Sequence, residues 1–250
     1  KNVHVYDPID NYIYQFDKVQ RLLNKNIFDH LIVNNSFMKY DIESTTSFNG
    51  SIFVIHHHWD PRISSARKTH QDDLRFGFIG SVASLNHTDN FLHYRELINE
   101  FPIEFYDTDT GQSVTDLVKK GKVNADWANR NRNLSAMEGL EINFNCHLSI
   151  RKNDTNISRY KTTAKVALAS GLNHNIITTR EKAVEDILPT DYPFILRDTR
   201  PNTVKEMFNS VLKDYEGDRI LWNKGLSMIS KVEKKLSLPN IILDYINLIS

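Results

Sequence analysis

Of the 250 residues one is cysteine, neither sign of charge is in surplus, and no long apolar run occurs. Cys146 cannot close an internal disulfide by itself, which fits a reducing compartment and a small core side chain. Lysine plus arginine and aspartate plus glutamate each number 31, so no global basic field exists to hold a polyanion, and nucleic acid is not an expected partner. No segment approaches the roughly 18 apolar residues that cross a bilayer, and the first residues lack the charged-then-apolar layout of a secretion signal. A soluble, cytoplasmic protein is expected; peripheral association with a membrane surface and the oligomeric state stay open. The GxGxxG fingerprint is missing, which argues against classical dinucleotide binding. Internal repeats and low-complexity segments are missing as well. The chain opens at Lys1 rather than at methionine, so further residues are expected ahead of it.

What is present is enough apolar material, 40% of positions against 25% charged, for a full core in one or two domains. Short apolar runs alternate with helical stretches. Residues 3–6, 30–33 and 51–55 read as strands and 13–23 as a helix, while Asn34, Asn35 and Ser36 offer side-chain oxygens to cap a short helix over 37–42. From His56 to Arg75 the periodicity disappears around Pro61, which reads as an interdomain connection. Alternation then resumes. Strands are expected at 76–81, 103–106, 144–150, 175–178 and 194–196, with helices through Phe91, Leu92, Leu97 and Ile98, over 160–170 and over 180–188, and a mostly helical end from Val204. The stretch 113–138 reads as polar and helix-rich, and Gly171 stands where a helix C-cap belongs. Strand, helix, strand in succession implies a parallel sheet with helices on both faces.

Three segments could carry chemistry. In FGFIGS a strand ends in Gly80 and Ser81; ligands of open parallel sheets settle at carboxyl ends, and a glycine there lets backbone approach a phosphate, although an ordinary tight turn carries the same two residues. In RYKTTAKVALASG, Lys161 and Lys165 stand four apart at a helix start, just beyond Arg151, Lys152 and Arg159, with Tyr160 adjoining. Cations are electrostatically unfavourable at that end, so they point to a bound diphosphate; a solvated basic face is the plainer alternative. In REKAVEDIL, Glu185 follows a strand and could accept both hydroxyls of a ribose, or merely favour the local helix dipole.

Taken together, FGFIGS, FNCHLSIR, YKTTAKVALASGLNHNIITT and EKAVEDIL resemble the C-terminal, nucleotide-sugar-binding domain of glycosyltransferases with the GT-B fold. VYDPIDNY, DHLIVNNSFM and the run into HHHWDPR resemble the later part of a GT-B acceptor domain and its crossover. The sequence departs from the family at Val166, where a glutamate is common, and at Asn173 and His174, where many relatives carry a proline. The resemblance implies an α/β, GT-B-like architecture: a Rossmann-like parallel-sheet domain with helices on both faces, plus a partial or small N-terminal α/β lobe. It divides the chain into an acceptor-side lobe at 1–58, a connection at 59–75, a donor-binding domain at 76–235 and a C-terminal helix at 236–250 that packs back on the first lobe. It implies transfer of a sugar from a nucleotide-diphosphate sugar to a carbohydrate acceptor, in polysaccharide or glycan biosynthesis, with no cofactor and no metal. Gly80, Ser81, Arg151, Tyr160, Lys161, Lys165 and Glu185 would bind the donor. A non-catalytic nucleotide- or partner-binding module of the same fold and a nucleotide-sugar epimerase are the alternatives.

The remaining candidates flank the expected cleft. Asp7 and Asp10 bracket Pro8 at the end of the first strand, where a general base or a turn-forming carboxylate belongs. His56 and His58 would share one side of an extended segment and His57 the other; a zinc site would need further ligands from elsewhere. A cleft or hinge role for His58, Asp60 and Arg62 is the better expectation. Trp59, Tyr106 and Tyr160 could stack on a base or sugar, or fill cores.

Overall fold

A computed structural model describes residues 4–7, 16–59, 73–80, 97–108, 112–119, 142–151 and 164–249. Among these, β1 (Val5–Tyr6), β2 (His30–Val33) and β3 (Ser51–Val54) form a three-stranded parallel sheet in the order β1-β2-β3. Among the described residues, α1 (Phe16–Leu23) and α2 (Ser36–Thr45) alternate with its strands. Side chains alternate faces along a strand. Leu31 and Val33 join Val19, Leu23, Met38 and Ile42 in one core under α1 and α2, while Ile32 and Ile55 turn to the opposite face. The expected cap on α2 is present: the Asn35 side chain accepts the Met38 N–H at 2.7 Å.

The second sheet has six strands, β4 (Phe76–Gly80), β5 (Ile103–Asp107), β6 (Gln112–Ser113), β7 (Cys146–Ser149), β8 (Asn175–Thr179) and β9 (Ile195–Leu196), in the order β6-β5-β4-β7-β8-β9. All pair in parallel except β6, which runs antiparallel to β5 at the edge. β6 has only two residues, and an antiparallel edge strand on an otherwise parallel sheet leaves the expected Rossmann-like parallel architecture intact. Among the described residues, the helices accompanying this sheet are α3 (Thr115–Lys119), α4 (Ala164–Gly171), α5 (Lys182–Glu185), α6 (Pro201–Glu216) and α7 (Ile220–Lys235). On α6, Val204, Phe208, Val211 and Tyr215 recur at spacings of three and four, which keeps one apolar stripe on the core.

A last helix, α8 (Leu238–Ile249), follows α7 in sequence but packs elsewhere. Its Ile241 and Leu248 bury against Ile32, Phe53 and Ile55 on the face of the small sheet turned away from α1 and α2. The chain thus passes between the sheets after β3 and again at Leu236, and the two passes are joined, since the Trp59 N–H donates to the Leu236 carbonyl at 3.2 Å. Gly171 proves to be the last residue of α4 rather than its left-handed cap, a conformation taken by Asn173 at φ 54°. It is glycine because the Trp59 ring lies 2.8 Å from where a Cβ would stand. No helix among the described residues is long and apolar enough to cross a membrane.

Gly225 sits inside α7, where glycine ordinarily costs about 0.5–1 kcal/mol against alanine. Here a Cβ would come 2.3 Å from Asn175 Oδ1 and 2.9 Å from the Phe194 ring. Asn175 is fully buried, donates to the Trp222 carbonyl at 3.0 Å and accepts from the Tyr192 hydroxyl at 3.1 Å, so it has nowhere to retreat. Gly225→Ala is therefore expected to lose roughly 1–3 kcal/mol of stability by overpacking, despite its better helix propensity. Chemical denaturation checks this; a variant as stable as the parent, or more so, contradicts it.

Candidate functional site

In an open parallel sheet, ligands bind outside the carboxyl ends of the strands where the strand order reverses direction. Here that point lies between β4 and β7: from β4 the chain moves outward through β5 to β6, and then returns to β7 and moves the other way to β8 and β9. Gly80 ends β4, Arg151 follows β7 by two residues, and Lys165 is the second residue of α4, the helix between β7 and β8. The Lys165 ammonium stands 3.3 Å from the centre of the Phe78 ring and 3.4 Å from where a Cβ on Gly80 would be. Strand end and lysine are thus brought together, while Lys161, the other lysine of the pair, lies outside the described residues.

Arg151 is held in a closed ring of hydrogen bonds. Its guanidinium donates to Glu181 at 3.1 Å, Glu181 accepts from the Thr179 hydroxyl at 3.1 Å, and that oxygen accepts the Arg151 N–H at 3.3 Å. The Glu181 side chain is 3% exposed and that of Arg151 20%, so the pair is largely desolvated and each charge needs the other. Glu181 was missed in the sequence. Its signal is parity: Thr179 and Glu181 are two apart at the end of a buried strand and so fall on one side.

Glu185 is placed differently from Glu181. It lies at the surface with Lys182 at 3.1 Å and Arg180 at 3.6 Å, an exposed cluster of ion pairs. Asp7, at the end of β1, acts on Tyr245 of α8, whose hydroxyl is held above its ordinary range by burial and then by that carboxylate. His56 and His57 are half-buried and His58 exposed, so His56 and His58 do not share an environment. The Asn34 carbonyl lies 3.1 Å from His56 Nδ1. Among the described residues no group of three or more histidine, cysteine or acidic side chains could hold a metal ion. Tyr106 is buried beside Phe144 and serves the core, as does Cys146, whose thiol burial pushes well up from its usual range. Asp10, Asp60, Arg62, Ser81, Tyr160 and Lys161 lie outside the described residues.

No family model matches the chain, and no curated protein matches its sequence. Solved structures do match it. Sucrose-phosphate synthase from Thermosynechococcus elongatus superposes with a TM-score of 0.60 at 11% identity, over 99% of this chain and 66% of that one. A glycosyltransferase from Rickettsia africae gives 0.55 at 10% identity, over 98% of this chain and 68% of that one. The fold is GT-B-like. The chain spans about two thirds of the length of each of these proteins, and at such identities the likeness is one of fold. Within the GT-B-like frame, Gly80, Arg151 and Lys165 mark the carboxyl-end crevice of the larger sheet.

Behind this crevice His147 is buried on β7, its Nε2 3.2 Å from Nδ1 of His174. Burial, then His174 and Lys165, hold its pKa well below the ordinary 6.5, so the folded imidazole is neutral. In the unfolded chain the same ring takes a proton as the pH falls below about 6.5. Acid therefore favours the unfolded state, with a slope of up to about 1.4 kcal/mol per pH unit for one proton. The melting temperature is expected to fall from pH 7 to pH 5, and His147→Gln to make that fall shallower. An unchanged slope in the variant contradicts the assignment.

Proposed function

We propose that this chain is part of a glycosyltransferase that moves a sugar from a nucleotide-diphosphate sugar to a carbohydrate acceptor, in polysaccharide or glycan assembly. The observation that carries the reading is the Lys165 ammonium standing at the end of β4 beside Gly80, with Arg151 following β7 at the same sheet edge of a GT-B-like fold. The likeness in fold to a sucrose-phosphate synthase and to a glycosyltransferase supports it.

Breaking the bond between sugar and diphosphate leaves negative charge on the departing phosphate oxygens. Fixed cations placed there beforehand stabilise that charge without reorganising during the reaction. Lys165 and Arg151 fill that role in the proposal, joined by Lys161, and no metal ion takes part. Glu185 accepts the ribose hydroxyls: a carboxylate offers about four lone-pair sites, so its contacts with Lys182 and Arg180 leave acceptor capacity. Asp7, directly after β1, or Asp10 takes the proton from the attacking acceptor hydroxyl. The division into an acceptor-side lobe at 1–58, a connection at 59–75, a donor-binding domain at 76–235 and a returning C-terminal helix belongs to the same proposal.

A charged hydrogen bond to phosphate is worth about 1.5–3 kcal/mol. Lys165→Ala is accordingly expected to weaken nucleoside diphosphate binding by roughly 10- to 150-fold while leaving the parent nucleoside unaffected. Calorimetry with UDP, dTDP, GDP and ADP against the bare nucleosides measures this. Equal losses for both ligands would remove Lys165 from the phosphate site.

A further inference from the structure

One contact joins the two sheets at a place that core packing does not require. Asp186, immediately after α5 on the larger sheet's side, reaches to α2 on the smaller sheet's side. Its Oδ2 accepts the backbone N–H of Ser36 and its Oδ1 accepts the Ser36 hydroxyl, across 150 positions of sequence. Ser36 is the first residue of α2, so the carboxylate serves one of the N–H groups that a helix start leaves without an internal partner. It also sits at the end where the helix dipole favours negative charge.

Two further N–H groups of that helix start are satisfied from its own side. Asn35 accepts Met38 N–H through its side chain at 2.7 Å and Lys39 N–H through its carbonyl at 3.3 Å. Ser36 is exposed, so water can replace Asp186 if the two units part. A bond that water replaces on both sides is cheap to break and remake. It suits a contact that closes and opens better than a permanent joint.

Asp186 is itself anchored on the larger unit. Lys235, the last residue of α7, donates to its carbonyl at 3.0 Å, and the next residue, Leu236, is where the chain crosses back to the small sheet, bonded to Trp59. Asp186 also follows Glu185 directly on the chain.

We propose that Asp186 is a positioning residue that, through Ser36, latches the three-stranded unit closed over the larger one. The catalytic consequence rests on the function proposed above: the turn that carries Glu185 toward the nucleotide also sets the acceptor side against it. The closure itself does not depend on that reading.

The test is a distance distribution in the full chain between spin labels on Tyr40→Cys in α2 and Ile220→Cys in α7, both positions 67% exposed. Cys146 is buried and stays unlabelled. The parent should give one narrow distance. Asp186→Ala should add a longer, broader population, the open fraction rising about tenfold, as the loss of a charge-assisted bond allows. Asp186→Asn and Ser36→Ala, which each keep part of the contact, should fall between, with melting temperatures near the parent's. Ser36→Ala decides the matter if Asp186→Ala does not fold. Distributions identical to the parent's in the folded variants would overturn the latch. Glu185→Gln should leave the distances alone; if it also leaves nucleotide binding alone, the proposed ribose role of Glu185 fails and the latch stands.

Discussion

β4 is bonded in parallel to β5 on one side and to β7 on the other, and everything at the candidate site depends on that double register. Because strands paired in parallel end on the same edge, Gly80 and Arg151 must emerge together. The outward paths from β4 and β7 separate, so their connections diverge and leave a crevice between them. Antiparallel pairing at β4/β7 would send Arg151 to the opposite edge and leave Lys165 without it. The GT-B-like likeness to two solved proteins is a likeness in this arrangement, reached at 10–11% identity.

Carboxylates placed away from their own helix do much of the remaining polar work. Asp214 of α6 accepts the N–H groups of Leu221 and Trp222 at 3.0 and 2.7 Å, starting α7 where Arg219 turns through a left-handed conformation. Asp186 does the same for α2, between units rather than within one. Glu181 closes a ring around Arg151 instead of capping α5, although it occupies the N-cap position there. A largely buried pair of that kind contributes little net stability, but removing one partner strands the other charge at a cost of several kcal/mol. Its use is to fix where the guanidinium stands.

Strands in both sheets were legible because buried parallel strands are short, nearly continuous apolar runs, and HLIV and FGFIG have that form. The cap on α2 was legible too, since asparagine before a helix has a local mechanism. β6 was not, because two edge residues carry no period to read. Gly171 looked like a cap because local rules know nothing of Trp59, which meets it from across the fold. The same blindness hid Glu181 and Asp186. Each is one acid among 31 acidic residues until the fold brings Arg151 to one and Ser36 to the other. Lys165 was singled out by residue type and spacing alone, and the fold sets it at the start of α4 beside the end of β4.

The central claim is that the β4/β7 crevice receives a nucleotide diphosphate joined to a sugar. A ligand that binds only the folded state raises the melting temperature with concentration, by an amount set by its affinity. The most direct measurement is therefore the melting temperature of the wild-type chain against UDP-, dTDP-, GDP- and ADP-sugars over a range of concentrations. The account predicts a concentration-dependent rise with at least one of these, larger than with the matching nucleoside. No rise with any of the four would contradict it.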